Sequence, residues 1–336
     1  IVTVMSTPVE AVPGTITYLT ICFLGIPCIT AYNVISSIFR GMGDSKSPMY
    51  FIAIACAANI ALDYVFMGVL HLGAAGAALG TTLAQTLSVI ISLLMTKKQK
   101  LGIKLCKQDF IPSRAVLGEI LKIGIPVAIQ DGCIQIAFII ITVIANSRGL
   151  NDAAAVGIVE KVISFFFLVP SSTLSAVSAL GAQNIGAGNV PRIRQGFKAC
   201  TILGIGYSLV ASTFIMTVGK YMTYLFVSED VDIIMSSVDI YLKCIGLFFI
   251  PLAIVNIYRN GIQGLGYGLL PMMAGVAELI GRGVVARIAA RERSYLGVCL
   301  ASPAAWVLAG GLLIAMYYYI MNVHMKKMFG DYNQKV

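Results

Sequence analysis

The chain of 336 residues is 58% hydrophobic and 12% charged, and its mean hydropathy is +0.88. Roughly a quarter of the residues of a water-soluble domain are charged, so this composition excludes an ordinary soluble protein and favours one that lies in a membrane. The net charge of +9 does not require a nucleic acid as partner, because membrane proteins ordinarily carry basic cytoplasmic loops.

Nine apolar runs are long enough to cross a hydrocarbon core, which takes about 20 residues of helix. In chain order they are 15–39, 48–69, 74–95, 120–144, 154–180, 195–218, 240–258, 270–289 and 296–320. Their apolar residues are continuous and do not alternate, and a backbone in lipid must satisfy its own hydrogen bonds, which favours helices over strands. We therefore predict an all-α polytopic membrane protein with about nine transmembrane helices.

The basic residues predict the orientation of these spans. If the N-terminus is outside, 16 lysines and arginines fall in inner loops, Arg259 among them, and 5 fall in outer loops. This predicts a protein of the plasma membrane with a cytoplasmic C-terminus. The odd number of spans and a first residue that is Ile1 further predict that the chain has lost its beginning, with residues 1–5 as the end of a preceding helix.

A polar segment divides the predicted spans into two unequal groups. We assign residues 97–117 to a cytoplasmic linker, residues 1–96 to a partial N-terminal lobe of three helices, and residues 118–323 to a complete C-terminal lobe of six. Residues 324–336 form a predicted cytoplasmic tail.

The chain contains one passage twice. Residues 18–49 return without a gap as residues 241–272, and the register aligns residues that rarely coincide by chance. The aligned pairs include Tyr18 with Tyr241, Asn33 with Asn256, Gly41 with Gly264, Gly43 with Gly266, and Pro48 with Pro271. Such a repeat in an apolar chain predicts a transporter built from two related halves, with its binding site where they meet.

The repeated passage ends in a loop for which we predict a structural role. Arg40 and Asp44 are expected to hold the turn, while Gly41 and Gly43 allow a tight backbone before Pro48. The same role is predicted for Gly264, Gly266 and Pro271 in the second copy. Four prolines within spans, at positions 27, 126, 170 and 251, are expected to bend their helices.

Several motifs carry a family resemblance. Residues 39–48 read Phe-Arg-Gly-Met-Gly-Asp-Ser-Lys-Ser-Pro, residues 123–126 read Ile-Gly-Ile-Pro, and residues 182–188 read Ala-Gln-Asn-Ile-Gly-Ala-Gly. In this order, together with the repeat, they resemble the multidrug and toxic compound extrusion (MATE) family. The resemblance implies a twelve-helix, two-lobe, pseudo-symmetric fold, of which this chain would be a remnant. It also implies export of drug-like organic cations in exchange for H⁺ or Na⁺ by alternating access, with no other cofactor.

Charged residues within spans are the strongest signal for a transport site, because each costs about 2.5–3.5 kcal/mol at a helix centre. Asp131 lacks a basic neighbour within a turn, and we predict it as the coupling carboxylate, raised in pKa by desolvation. Glu278 and Arg282 are spaced for an ion pair on one helix. Glu160 and Lys161 are adjacent and therefore diverge by about 100°, so that one can face a cavity. These four, Asp131, Glu160, Glu278 and Arg282, are the ion-coupling candidates.

Polar and flexible side chains within spans are the candidates for contacts with substrate. They are Gln130, Gln135, Asn33 and Met272. The expected partners are membrane lipid and a small organic cation, the expected state is a monomer, and no metal or nucleic acid is expected. No Gly-Lys-Ser/Thr follows a glycine loop, so no nucleotide is expected either.

Two alternatives remain at this point. A lipid-linked saccharide flippase of the same superfamily would line its cavity with more Arg and Lys. An integral-membrane enzyme would need a polar catalytic cluster, which two histidines at span ends do not supply.

Overall fold

The structure is a computed structural model that describes residues 12–98, 113–226 and 231–329. Within these ranges every regular element is a helix. Seven helices are long and apolar enough to cross a membrane, and two bent helix pairs raise the number to nine if each pair is one span. The predicted fold class, a helical multi-pass protein, is therefore confirmed.

The chain forms two compact units, Ile1–Ile111 and Pro112–Val336. In the first unit, α1 spans Val12–Gly41, α2 spans Lys46–Asp63 and continues as a π-helical turn, and α3 spans Gly73–Lys98. Helix α3 packs against both α1 and α2. Close approach of α1 and α3 depends on Gly25, because a Cβ there would lie 2.8 Å from a methyl group of Thr82.

The described residues of the second unit form nine α-helices. They are α4 (Arg114–Arg148), α5 (Leu150–Phe166), α6 (Leu168–Gly186), α7 (Val190–Thr217), α8 (Val231–Leu247), α9 (Phe249–Gly264), α10 (Leu269–Arg291), α11 (Tyr295–Tyr319) and α12 (Met325–Phe329). Helix α9 lies at the centre and packs against α6, α7 and α11, while α10 packs against α4 and α11. An apolar core of buried side chains from most of these helices surrounds α9.

The helix ends differ from two predicted boundaries. Helix α3 reaches Lys98 and α4 begins at Arg114, so both ends of the predicted linker 97–117 are helical. The predicted tail 324–336 begins at His324, the last residue of a π-helical turn, and continues as helix α12, which ends at Phe329. Residues 1–5, 99–112 and 330–336 lie outside the described residues.

Two predicted spans are each broken by a sharp bend. Helices α5 and α6 meet at 48°, and α8 and α9 meet at 52°. Pro170 and Pro251 explain the breaks, because a proline has no N–H to donate to the carbonyl four residues earlier. The carbonyl freed by Pro170 belongs to Phe166, and it accepts a hydrogen bond from the hydroxyl of Tyr207 at 2.8 Å. Prolines 27 and 126 lie instead within the uninterrupted helices α1 and α4.

Both copies of the repeated passage end in the same backbone turn. Gly43 has φ +89° and its aligned partner Gly266 has φ +88°. The N–H of Gly43 donates to the carbonyl of Arg40 at 3.0 Å, and that of Asp44 donates to Phe39 at 2.9 Å. The equivalent bonds in the second copy measure 2.9 and 3.3 Å. This pair of bonds is the Schellman motif that ends a helix at a left-handed glycine.

Side chains complete the turn differently in the two copies. In the first, the carboxylate of Asp44 accepts from the backbone N–H groups of Lys46 and Ser47 at 3.0 and 3.1 Å and so caps α2. Hydrogen bonds from the Ser47 hydroxyl and backbone hold the pKa of Asp44 below its ordinary value. Arg40 donates to the hydroxyl of Ser36 at 2.8 Å. In the second copy, the missing side chain of Gly264 admits the backbone of Ser178, which lets α6 and α9 approach closely.

We predict that Gly43→Ala lowers the free energy of unfolding by about 1–2 kcal/mol, because an L side chain is strained at positive φ. Gly41→Ala is the matched control, since a Cβ at this position meets nothing within 4 Å. Unfolding by dodecyl sulfate in mixed micelles, followed by circular dichroism, measures both variants. Equal losses in the two variants would show that the left-handed turn does not limit stability.

We also predict that Tyr207→Phe lowers the free energy of unfolding by about 1 kcal/mol, because it leaves the carbonyl of Phe166 without its donor. In a Pro170→Ala background the new N–H at position 170 can reach the same carbonyl, so the cost of Tyr207→Phe should fall close to zero. The same unfolding assay on the four proteins of this cycle measures the difference. An unchanged cost in the Pro170→Ala background contradicts the assignment.

Candidate functional site

The second unit contains a partly open cavity of about 470 Å³. Helices α4, α5, α8, α9, α10 and α11 all contribute side chains to its wall, as does Phe167 at the bend between α5 and α6. Much of the lining is apolar or aromatic, with Phe138, Phe167, Tyr241 and Trp306 as its large rings. The bend between α5 and α6 therefore places the ring of Phe167 at the cavity.

Three charged side chains form a buried cluster in the cavity wall. Glu278 of α10 accepts a bond from Arg282 at 3.4 Å through one carboxylate oxygen, and from Arg259 of α9 through the other. The exposed fractions are 2% for Glu278, 1% for Arg282 and 7% for Arg259. Charges this far from solvent persist only when they are paired. The cluster therefore links α9 to α10 across the centre of the unit.

Neighbouring residues hold the cluster in place. The guanidinium of Arg282 stacks over the ring of Phe138 in α4, with 4.3 Å between its central carbon and the ring centroid. Helices α4 and α10 approach closely at Gly275, where a Cβ would lie 2.6 Å from the side chain of Gln130. These contacts pack α4 against α10 beside the cluster.

The predicted ion pair between Glu278 and Arg282 is confirmed. The assignment of Arg259 to an inner loop is wrong, because α9 continues to Gly264 and Arg259 is buried within it. The apolar run ends at Tyr258, and the sequence beyond it contains glycine and polar residues. Only the packing of α9 against α10 reveals that Arg259 has a carboxylate partner.

Glu160 also lines the cavity, from α5, and is partly buried. Its neighbour Lys161 is exposed and is not part of the wall, as expected for adjacent residues on a helix. Among the predicted substrate contacts, Gln135 lines the cavity. Glu160 and Gln135 thus join the charged cluster as polar groups of one site.

The other predicted site residues lie elsewhere. Asp131 is exposed and outside the cavity wall, so the burial on which its predicted role depended is not present. Gln130 is buried but accepts a hydrogen bond from Gln263 at 3.1 Å, which ties α4 to α9. Met272 is not in the wall, and Asn33 is an exposed residue of the first unit.

Sequence reasoning missed several residues of the wall, although the repeat contained a signal for two of them. Asn256 and Tyr241 line the cavity, and they are the aligned partners of Asn33 and Tyr18. Asn256 donates to the carbonyl of Leu252 at 2.7 Å, so its amide is held within the turn of α9 next to Pro251. Choosing the second-copy partner of Asn33 would have identified a cavity residue.

Apolar helices of membrane length surround a partly open cavity that contains buried charges, an arrangement that is typical of polytopic membrane transporters. The MatE family model matches residues 1–65 and 126–288, which is more than half of the chain. The chain therefore belongs to the MATE family, whose members are transporters and not enzymes.

Curated relatives and solved structures agree with this assignment. The chain is 34% identical to the probable multidrug resistance protein YpnP of Bacillus subtilis over 77% of its own length and 57% of that protein. It is 25% identical to the multidrug export protein MepA of Staphylococcus aureus, over 78% and 55% of the two chains. The chain thus spans between half and three fifths of these relatives.

Structural likeness extends over nearly the whole chain. An outward-facing multidrug resistance MATE transporter of the MOP superfamily matches 97% of this chain and 73% of its own with a TM-score of 0.90 at 22% identity. A MOP superfamily transporter from Pyrococcus furiosus matches 95% and 72% with a TM-score of 0.88 at 23% identity. At these identities the likeness shows the fold.

We predict that Glu278→Gln lowers the free energy of unfolding by about 3–5 kcal/mol, because it leaves two buried guanidinium groups without their counter-charge. Glu292→Gln is the matched control, an exposed carboxylate at the end of the same helix. Dodecyl sulfate unfolding compares the two. A loss below about 1 kcal/mol for Glu278→Gln would mean that the cluster is solvated like a surface pair.

Proposed function

We propose that the protein exports drug-like organic compounds from the cytoplasm in exchange for H⁺ or Na⁺, by alternating access. The observation that carries this proposal is the cavity of about 470 Å³, which combines aromatic walls with buried charges. Small-molecule sites typically have volumes of about 300–1,000 Å³, apolar linings and a few placed polar groups. Membership of the MATE family and the likeness to multidrug resistance proteins support the same function.

One part of the cavity wall carries groups that can bind an organic cation. Glu160 supplies a carboxylate there, while Phe167, Tyr241 and Trp306 supply aromatic rings. Aromatic faces attract cations, and an adjacent carboxylate strengthens the attraction in a site of low dielectric constant. We therefore assign the cationic group of a transported compound to the neighbourhood of Glu160.

Coupling to an ion requires a carboxylate that the ion and the substrate can both reach. Glu160 meets this requirement because it lines the cavity and pairs with neither cavity arginine in the part of the chain that the structure describes. Asp131 is the second candidate, one turn before Gln135 on α4 and outside the wall. Glu278 suits coupling less well, since both its oxygens bond to arginines.

The flippase alternative has one observation in its favour, namely the two arginines in the wall. Their charge is largely committed, because Glu278 bonds to both of them. The cluster keeps one formal positive charge, whereas a diphosphate carries at least two negative charges. We therefore favour export of smaller organic compounds.

The proposed setting is the plasma membrane, with the linker and the C-terminus in the cytoplasm. The bias of lysine and arginine towards the predicted inner loops supports this orientation. Protein in membrane vesicles should therefore load a substrate through the face that carries the linker.

Transport in everted vesicles tests the proposal. We expect uptake of the fluorescent cation ethidium to stop when either the proton gradient or the Na⁺ gradient is collapsed by a specific ionophore, and to continue when the other is collapsed. Glu160→Gln should lower gradient-driven uptake by roughly tenfold or more, because an intramembrane carboxylate that binds the ion is then lost. Asp131→Asn and the exposed Glu292→Gln are the matched comparisons and should retain uptake.

Other outcomes contradict the assignment. Full uptake by Glu160→Gln together with loss in Asp131→Asn would move the coupling to Asp131. Uptake that is insensitive to both ionophores would exclude ion-coupled export altogether.

A further inference from the structure

Helices α8 and α11 pack against each other along one face of each helix. Side chains spaced by four and then three residues share such a face. They are Ser237, Tyr241 and Cys244 on α8, and Tyr295, Cys299 and Ser302 on α11, and together they form the α8–α11 seam. The hydroxyl of Tyr295 donates to the carbonyl of Ser237 at 3.1 Å. This bond joins the first residue of each face and so fixes the register in which the remaining residues meet.

Two cysteines meet within the seam. The thiols of Cys244 and Cys299 are in hydrogen-bond contact across the two helices. Both are free thiols, Cys299 with 0% exposure and Cys244 with 8%. A disulfide requires Cβ atoms about 3.5–4.5 Å apart, so two thiols that already touch across a fixed register meet its main geometric demand.

The seam borders the cavity, which gives a small oxidant a route to the thiols. Tyr241 and Ile245, the residues three before and one after Cys244, line the cavity, and so does Ser302, one turn after Cys299. Hydrogen peroxide is little larger than water, which occupies roughly 30 Å³, and the partly open cavity of about 470 Å³ admits it readily. Cys244 is the more exposed thiol of the pair and is therefore the one that the oxidant reaches first.

We propose that Cys244 and Cys299 are a redox-sensitive pair, which a peroxide converts into a disulfide that fastens α8 to α11 beside the cavity. The sulfur of Cys244 attacks the O–O bond of hydrogen peroxide and becomes a sulfenic acid, while the departing hydroxide takes the thiol proton and leaves as water. The sulfur of Cys299 then attacks the sulfenic sulfur and forms the S–S bond. The sulfenic oxygen leaves with the second thiol proton as another water molecule, so the peroxide gains the two electrons that the thiols lose.

The position of the disulfide determines its effect on the cavity. Tyr241 of α8 and Ser302 of α11 belong to the cavity wall on the two sides of the seam. A covalent bond between these helices prevents the two parts of the wall from separating. Alternating access requires the wall to rearrange, so this consequence rests on the proposed function, and the oxidised protein is expected not to export.

Peptide mapping of the full chain in membrane vesicles tests whether the disulfide forms. The vesicles are treated with hydrogen peroxide, remaining thiols are blocked with N-ethylmaleimide in dodecyl sulfate, and the protein is digested with trypsin. Each cysteine of the pair is the only one in its tryptic peptide, 244–259 or 294–326. We expect mass spectrometry to find these two peptides linked, lighter than their sum by two hydrogen atoms, and dithiothreitol to separate them.

Two results of this mapping overturn the pair. One is that both peptides still carry N-ethylmaleimide after peroxide treatment. The other is that they are linked to the remaining cysteine peptides as often as to each other, which would indicate unspecific oxidation.

Uptake of ethidium by everted vesicles tests the effect on transport. We expect peroxide to abolish uptake by the unchanged protein and dithiothreitol to restore it. Cys244→Ser and Cys299→Ser should each keep their uptake in peroxide, because a disulfide needs both sulfurs. Cys200→Ser removes a half-buried cysteine of α7 and is the matched control, which should lose uptake in peroxide as the unchanged protein does.

The two assays separate this inference from the proposed function. A disulfide that forms without loss of uptake overturns the closure of the seam, and loss of uptake that persists in both serine variants assigns the effect to another residue. Absence of uptake in the reduced protein contradicts the proposed function, whereas peptide mapping requires no transport and decides the cysteine pair by itself. If one serine variant does not fold, the other is sufficient, since either removes the disulfide.

Discussion

The pairing of Glu278 with two arginines is the interaction on which the second unit depends. A carboxylate with 2% exposure and a guanidinium with 1% would each be severely unfavourable alone in this environment. The three groups therefore require that α9 and α10 meet in one register, since a shift of either helix by one turn, about 5.4 Å, would separate them. The same contact brings both arginines to the cavity, so that stability and the chemistry of the site have one origin.

The two bends change the direction of the chain within single apolar segments. Because Pro170 and Pro251 cannot donate to the carbonyls of Phe166 and Leu247, each long apolar segment becomes two helices that point in different directions. Phe167 lies at the first break and lines the cavity, while α9 begins immediately after the second. The freed carbonyl of Phe166 is then satisfied by a tyrosine of α7. Bending thus opens space without leaving that backbone acceptor unpaired.

Local demands of the backbone were predictable from the sequence. A left-handed turn needs glycine, and the repeat placed Gly43 and Gly266 in the same position of two loops, where both adopt nearly the same positive φ. Apolar length likewise located the spans, and the spacing of Glu278 and Arg282 predicted their ion pair. In each case the required information lies within one helix or one turn.

Contacts between helices were not predictable in this way. Asp131, Gln135 and Phe138 lie on one face of α4 by helical spacing, yet only the last two line the cavity. Periodicity therefore identified the correct face of α4 but not the depth at which the cavity begins. For the same reason the burial of Arg259 could not be predicted, because it depends on packing against α10 and not on the residues next to Arg259 in the chain.

The two copies of the repeat show why the buried charges occur as a set. In the common register Arg259, Glu278 and Arg282 stand opposite Ser36, Ala55 and Asn59 of the first unit. Ser36 is fully buried there and Ala55 is 5% exposed, so these positions are interior in both units and differ in chemistry. Introducing any one charge alone would bury an unpaired ion, whereas a carboxylate with its guanidinium partner is tolerated. The second arginine, Arg259, reaches the same carboxylate from α9, so the charges that distinguish the second copy also join two of its helices.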